Sequence, residues 1–598
     1  MERALVQRTM LEAIVIGSGF GGAVMTCRLS QRWGSQVLLL ERGRAYPRGS
    51  FPRTPHALAR SFWVPGGGRE GRGLFDVRNF RRMDAVVAAG YGGGSLIYAN
   101  VFLPAPAWVL ARWPATVQHT ALAPYYDVAR RVLAARPLPP AGDDPHRAVA
   151  RQALFAAFAQ AEGLPTAPAD VAVFFGRAYG DTGSAPPLPR GQEELNRFGA
   201  PQTSCTYCGE CDVGCNVHAK NTLDLNYLWA AKEVHGAQVA VESEATAIEP
   251  LDESGVPSNE ATGAHGFRVH WRDADGQARH ANAHRVVVAA GTFGTAELLL
   301  RGKTSGALKH LSDRLGCGFS GNGDFIAAAI NGHKAVDPNH GPVITQVVDH
   351  HLLQAKPTPE KEAFLLQDAA YPNFLTWYIE GLRWLPVFGW RRVRATAKRL
   401  VVTLARRAWN VLTGGNDPGA IGAVLGEGLR DDHSYRSNLL LSMGVDAADG
   451  RLSMRGEALR VTWPQRSGSG LYRAMMTLGE QFAHYTGGAR YVPNPTWIWP
   501  YRNNVTVHAL GGCALALTPE EGVVSAHAAD RGACFGYTGL YVADGSLCPT
   551  AVGANPSATI AALAEWIAEG ITGITPDPGL GVPQAADAAA GAPGKGDA

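Results

Sequence analysis

Three groups of residues in this chain have types and spacings that do chemistry. Cys205, Cys208, Cys211 and Cys215 follow the pattern C-x2-C-x2-C-x3-C, the run by which closely spaced thiolates wrap an iron–sulfur cluster. Asn216 rather than proline follows the fourth cysteine, and in two-cluster ferredoxins that cysteine serves the other cluster, so the spacing does not define one compact site. A structural zinc ion, plain thiols or a pair of short disulfides satisfy it as well. Gly17-Ser18-Gly19-Phe20-Gly21-Gly22 is a G-x-G-x-x-G turn, and Glu41 closes the next apolar run. Such glycines let backbone approach a pyrophosphate, and a carboxylate at the end of the second strand suits a ribose hydroxyl, which favours FAD or NAD over NADP. The third group is His508, leading into Gly511-Gly512-Cys513, with Asn555 ahead of Pro556. Histidine titrates near neutrality and can take a hydroxyl proton.

The elements that must position these groups are legible around them. Leu11–Ile16, Gln36–Leu40, Val286–Ala290 and Gly539–Ala543 are continuous apolar runs, which predict parallel strands buried on both faces. Phe20–Gln31 reads as the helix opened by the Gly17 turn. Asn555 predicts an N-cap and Pro556 a first helical position for a helix over Ala558–Ile567, whose positive end would stabilise negative charge on a bound ring. Gly90 to Asn100, with Gly92, Gly93, Gly94 and Ser95, is a second glycine cluster where backbone N–H groups can crowd a flat or anionic ligand.

The segments Gly17–Gly22, Gly92–Asn100, His508–Cys513, Gly539–Ser546 and Gly553–Ser557 together resemble the glucose-methanol-choline (GMC) oxidoreductases, and Gly-Gly-Gly-Ser-Leu-Ile-Tyr-Ala-Asn resembles their cholesterol-oxidase-like branch. The resemblance covers the cofactor segments, about half the chain, and the remainder loosely. It implies FAD, bound by Gly17, Gly19, Phe20, Gly22, Glu41, Gly92, Gly93, Gly94, Ser95, Asn100, Asp544, Gly545, Asn555 and Pro556. It implies that Asp544 and Gly545 meet the diphosphate and ribityl chain, and that His508 and Asn555 face a substrate hydroxyl across the flavin. It also implies a bulky hydrophobic alcohol as substrate. Some sterol-acting relatives add a carboxylate from the substrate domain, for which Asp368 is a candidate. Some relatives place an iron–sulfur centre near FAD, so Cys205, Cys208, Cys211 and Cys215 are candidate ligands of a 4Fe–4S cluster.

The expected architecture is α/β: a Rossmann-like FAD domain from residues 1–110, 225–325 and 500–575, with an inserted α+β substrate domain from 111–195 and 326–499. The cysteine-rich segment 196–224 lies at their interface, and 576–598 form a disordered tail rich in Pro, Gly, Ala and Asp. The composition agrees: 46% hydrophobic, 18% charged, 71 glycines and 38 prolines exclude global disorder and favour a ligand-cradling protein over a helical bundle. A formal charge of +3 gives no electrostatic case for nucleic acid. No apolar run is long enough to span a bilayer, the N-terminus carries no leader pattern, and the scattered cysteines are not a disulfide framework, so a reducing, cytoplasmic setting is expected. Residues 377–412 join four tryptophans to a basic amphipathic stretch, which reads equally as a solvated helix or as a peripheral contact with a membrane surface.

Electrons taken from the alcohol would leave to O2 or, through a cluster, to an acceptor protein. A nicotinamide dehydrogenase would share the Gly17 turn but leave the His508 and Asn555 segments unexplained. A non-catalytic flavin relay, or a membrane-binding protein with a vestigial FAD site, would keep the cradle without the chemistry.

Overall fold

The computed structural model describes residues 10–68, 71–354, 362–376, 434–464, 469–497 and 503–583, with a few isolated positions between 401 and 413. Two sheets organise it. In the first, the apolar runs behave as their composition dictates: strands Leu11–Ile16, Val37–Leu40, Gln238–Ala240 and Leu540–Val542 run parallel with Ala278–Val288 at the centre. Strands Phe267–Arg272 and Glu244–Pro250 extend the sheet antiparallel, and their alternating sequence gives them one wetter face. Helix Phe20–Trp33, opened by the glycine turn, packs against helix Ser557–Thr572, which is apolar almost all round. Between them Arg28 and Glu565 form a fully buried ion pair at 2.7 Å, and the Tyr227 hydroxyl donates to Glu565 at 2.7 Å.

The second sheet is antiparallel throughout, in the order Arg490–Pro493, Phe325–Ile330, Asn438–Gly444, Phe364–Ala369, Gln346–His350, Thr166–Pro168. Its two faces follow the strand period of two. Phe325, Ala327, Phe364, Leu366 and Leu440 pack under helices Ala150–Ala161 and Ser469–Tyr485. The other face carries Ile326, Ala328, Leu439 and Leu441, apolar and only half-buried, although these strands are interior to the sheet.

The chain stays packed beyond the point where its composition suggests a tail. Leu580 is fully buried, Arg28 donates to the Asp577 carbonyl at 2.9 Å, and the Leu580 carbonyl pairs with His235 at 2.8 Å. A leucine and two carbonyl partners outweigh the polar residues around them. Residues 584–598 lie outside the described residues, as does most of the basic segment 377–412. Among the described residues no helix is long and apolar enough to cross a membrane.

Candidate active site

The two glycine clusters fold against each other. Gly17 has φ +100° and its Cβ would stand 2.3 Å from the Ala289 carbonyl oxygen, while a Cβ on Gly21 would stand 1.5 Å from that of Ala543. A Cβ on Gly22 would meet the Gly17 oxygen at 1.8 Å. These glycines seat the helix on the sheet. Gly19 is different: its φ is −69° and a Cβ there would meet nothing within 4 Å. Gly94 faces open space in the same way. Gly92 and Gly93 take φ +115° and +54°, and Gly93 comes so close that its Cβ would lie 2.5 Å from the Gly19 Cα.

Ser18, which no motif singles out, joins the clusters. Its hydroxyl donates to Glu41 at 2.5 Å and accepts from the Gly92 N–H at 3.0 Å. Glu41 also accepts the backbone N–H of Ser18 and Gly43, so its carboxylate braces the loop as well as ending the second strand. Ser95 caps the second cluster, donating to the Gly92 carbonyl and accepting from the Leu223 N–H. Asn100 is buried at φ +69°, with its side chain within reach of the Cys211 thiol. Open space above two glycines and a helix N-terminus are what a flavin dinucleotide would fill.

The C-terminal segments close the other side. Asp544 is buried and accepts from the Gly291 N–H, the Thr295 hydroxyl, and the N–H and hydroxyl of Ser546, which burial requires of a carboxylate there. Burial raises its pKa. The Gly545 carbonyl accepts from Gly511, tying the 508–513 segment to this turn. Pro556, not Asn555, stands at the N-cap of the helix Ser557–Thr572. The Asn555 side chain is drawn away from capping because its Oδ1 accepts from Gln367 Nε2 at 2.9 Å.

His508 does not stand alone. Its Nδ1 meets Asp324 Oδ1 at 2.8 Å, and Asp324 Oδ2 accepts from the Thr506 hydroxyl and the Val507 and His508 N–H groups. Asp324 is fully buried, whereas the histidine side chain is 15% exposed and its Nε2 has no partner among the described residues. The turn Gly321-Asn322-Gly323-Asp324 that carries this carboxylate also carries Asn322, at φ +56°. Asn322 accepts from the Val552 and Gly553 N–H groups and donates to the Ala554 carbonyl at 2.8 Å. One turn therefore places both His508 and the loop leading to Asn555. Asp446 braces that turn through Ser320, Gly321 and Gly323, and burial pushes its carboxyl up to about 6.

Asp368 is not available to substrate. It is fully buried in an ion pair with Arg151 at 2.5 Å and accepts from Thr345 and Gln346. Strand alternation explains the difference: Asp368 points to the helix-covered face of the second sheet, and its neighbour Gln367 to the face that meets Asn555.

All nine cysteines are free thiols. Cys205, Cys208, Cys211 and Cys215 line one pocket with Lys220, whose Nζ donates to the carbonyls of Leu96 at 3.1 Å and Cys211 at 2.7 Å. The pocket is therefore one lysine away from the second glycine cluster. Burial pushes the Lys220 amine down to about 8 and the Cys211 thiol up to about 12. The Tyr207 and Ala219 N–H groups donate to Cys205 and Cys215 sulfur. Among the described residues no three His, Cys, Asp or Glu side chains converge to hold a single metal ion.

Sequence reasoning missed Asp324, Asn322, Ser18 and Gln367. Gly-Asn-Gly-Asp at 321–324 carries a turn signal that could have flagged the first two; Gln367 carries none.

Comparison with known proteins bears on this arrangement directly. The family model for the GMC oxidoreductases matches residues 194–320 and 498–564. The chain is 28% identical over 584 residues to a cholesterol oxidase of Acinetobacter baumannii, covering 92% of each, and 29% identical over 595 residues to one of Mycobacterium tuberculosis, covering 93% and 90%. Its fold is similar to that of pyridoxine 4-oxidase from Mesorbium loti (TM-score 0.56, 14% identity, 94% and 98% covered). It is likewise similar to formate oxidase of Aspergillus oryzae (TM-score 0.58, 12% identity, 94% and 98% covered). The cradle, the C-terminal segments and these relatives agree: the chain matches the GMC oxidoreductases over those two stretches and is an FAD-dependent oxidoreductase acting on CH–OH donors.

Proposed function

We propose that this enzyme oxidises a hydrophobic alcohol, sterol-like or long-chain, with His508 as general base and Asn555 as the group that holds the substrate oxygen. The observation that carries the reading is the Asp324–His508 pair: Nδ1 is engaged at 2.8 Å, so Nε2 is the nitrogen left to act. A carboxylate on Nδ1 fixes the tautomer in which Nε2 is an acceptor and stabilises the ring once it has taken a proton. The glycine clusters would hold FAD, which when bound would supply a two-electron acceptor for the hydride of the carbinol carbon. The chain's own residues handle the rest: Nε2 takes the hydroxyl proton, and an Asn555 amide hydrogen supports the charge that develops on oxygen.

Two facts support a hydrophobic substrate. Ile326, Ala328, Leu439 and Leu441 present a half-buried apolar face on the sheet that carries Gln367, an arrangement suited to the apolar body of a bulky alcohol. The relatives similar over nine-tenths of the chain are named as cholesterol oxidases. Anaerobic bleaching of the bound flavin by cholesterol, linear alcohols and aromatic alcohols tests the reading. Bleaching by short polar alcohols alone would refute it.

For the electron acceptor we infer an iron–sulfur centre at Cys205, Cys208, Cys211 and Cys215, supplying a one-electron exit beside the flavin. Four thiols around one pocket, N–H donors to two of the sulfurs and the buried Lys220 charge support it. The relatives' names favour the second reading, an oxidase that passes electrons to O2. Iron and sulfide content, set against peroxide yield, separates the two.

A further inference from the structure

An asparagine that must hold an alcohol oxygen has a problem of direction. Its two ends are nearly the same shape, but only the NH2 end can donate to an oxygen that is losing its proton. Something has to decide which end faces the substrate. Gln367 is placed to do so. It is fully buried on strand Phe364–Ala369, and its Nε2 donates to Asn555 Oδ1 at 2.9 Å. With Oδ1 held, the Asn555 NH2 is the end left free; among the described residues it has no hydrogen-bond partner.

Gln367 is an expensive choice for a packing residue. Its Oε1 is buried without a partner among the described residues, and leaving a buried acceptor unpaired costs stability. Methionine would fill much the same volume in the sheet without that cost. The neighbouring polar residue on the strand shows the contrast: every bond of Asp368 goes to the scaffold, through Arg151, Thr345 and Gln346. Among the described residues the one side-chain hydrogen bond of Gln367 goes to Asn555.

We propose that Gln367 is a positioning residue that sets the orientation of the Asn555 amide, turning its NH2 toward the substrate oxygen. The inference rests on the reading of Asn555 given above. It has a chemical corollary. A carboxylate at 367 can only accept, so it would draw the Asn555 NH2 to itself and present Oδ1 to the substrate, the wrong end. A protonated carboxyl can donate and would restore the native direction.

The test uses the flavin-loaded enzyme with cholesterol and 1-dodecanol as probes. Gln367→Glu should reduce flavin about 10–100-fold more slowly than wild type at pH 8, the range typical when the partner that orients a site group is lost. The deficit should shrink as pH falls and the carboxyl is protonated. Affinity for the ketone product cholest-5-en-3-one, read from the flavin spectrum without turnover, should follow the same pH course, because a carbonyl oxygen also needs the donor. Gln367→Met should lose rate without acquiring the new pH dependence. A Gln367→Glu profile parallel to wild type, in rate and in ketone affinity, overturns the proposal. Asn555→Ala serves as the control: if it leaves the rate unchanged, the reading of Asn555 has failed; if it slows the reaction while both Gln367 variants behave as wild type, only the positioning role has.

Discussion

Asp324 and His508 lie 184 residues apart in the chain and meet at 2.8 Å through Oδ1 and Nδ1. The carboxylate is fully buried and accepts three further hydrogen bonds from residues 506–508, so it holds the histidine backbone as well as its ring. His508 is thus aimed from two directions by one group.

His508→Ala should retain FAD, because the hydrogen bonds of His508 among the described residues go to Asp324 and Thr506 and not to the glycine clusters, yet flavin reduction by alcohol should slow by roughly 10² to 10⁴. Asp324→Asn should approach the same loss, since an amide can donate to Nδ1 and force the proton onto Nε2, the opposite tautomer. Stopped-flow bleaching under nitrogen measures both. Wild-type kinetics in either variant would remove that residue from the mechanism.

The glycines of the first cluster should separate into two kinds. Gly21→Ala places a methyl 1.5 Å from the Ala543 oxygen and should cost about 1–3 kcal/mol or more of stability. Gly19→Ala meets nothing within 4 Å and has an ordinary φ, so the apoprotein should keep its melting temperature while FAD content falls. Flavin absorbance per protein, set against thermal unfolding, distinguishes them. A Gly19→Ala protein with full FAD would show that the dinucleotide does not run over that position.

Protein purified anaerobically should contain iron and acid-labile sulfide, with broad absorbance near 400 nm beneath the flavin bands. Cys208→Ser should lose the iron and keep much of the FAD. Iron-free wild type that turns over alcohol with O2 at full rate would leave the enzyme an oxidase.

Asp446 predicts a pH dependence of stability. Burial raises its carboxyl from 3.8 to about 6 in the folded chain, so the folded state holds that proton more tightly than the unfolded state. The resulting stabilisation is full below 3.8 and is lost as pH rises through 6. Relative to Asp446→Asn, wild type should therefore lose about 2 kcal/mol between pH 4 and pH 7. Urea unfolding of both proteins across that range reads the difference, and a gap independent of pH would contradict the shift.

The parallel strands were legible because Leu11–Ile16 and Val37–Leu40 are buried on both faces, which leaves a continuous apolar run in the sequence. The first glycine cluster was legible because a turn that close to neighbouring backbone admits no other residue. Asn555 misled as a helix cap, since its partner Gln367 comes from another sheet and leaves no local trace. Asp324 was invisible for the same reason: its role is set by a contact between distant segments. Asp368 attracted attention as a carboxylate, but the face it occupies depends on a strand register that spacing does not reveal. The packing of residues 576–583 was hidden because three contacts, not overall composition, hold that stretch in place.

The pairing of strand Leu540–Val542 with Ala278–Val288, itself beside Leu11–Ile16, has a consequence for biosynthesis. The nucleotide-binding sheet begins with the first strand synthesised and is completed only by the last tenth of the chain. Until then, one side of the central strand is an open edge and helix Phe20–Trp33 lacks the helix that covers it. Contacts this remote in sequence close slowly and leave such surfaces exposed in the meantime. On the ribosome the N-terminal segments must therefore wait, and chaperone dependence should track the delay before residues 540–572 emerge.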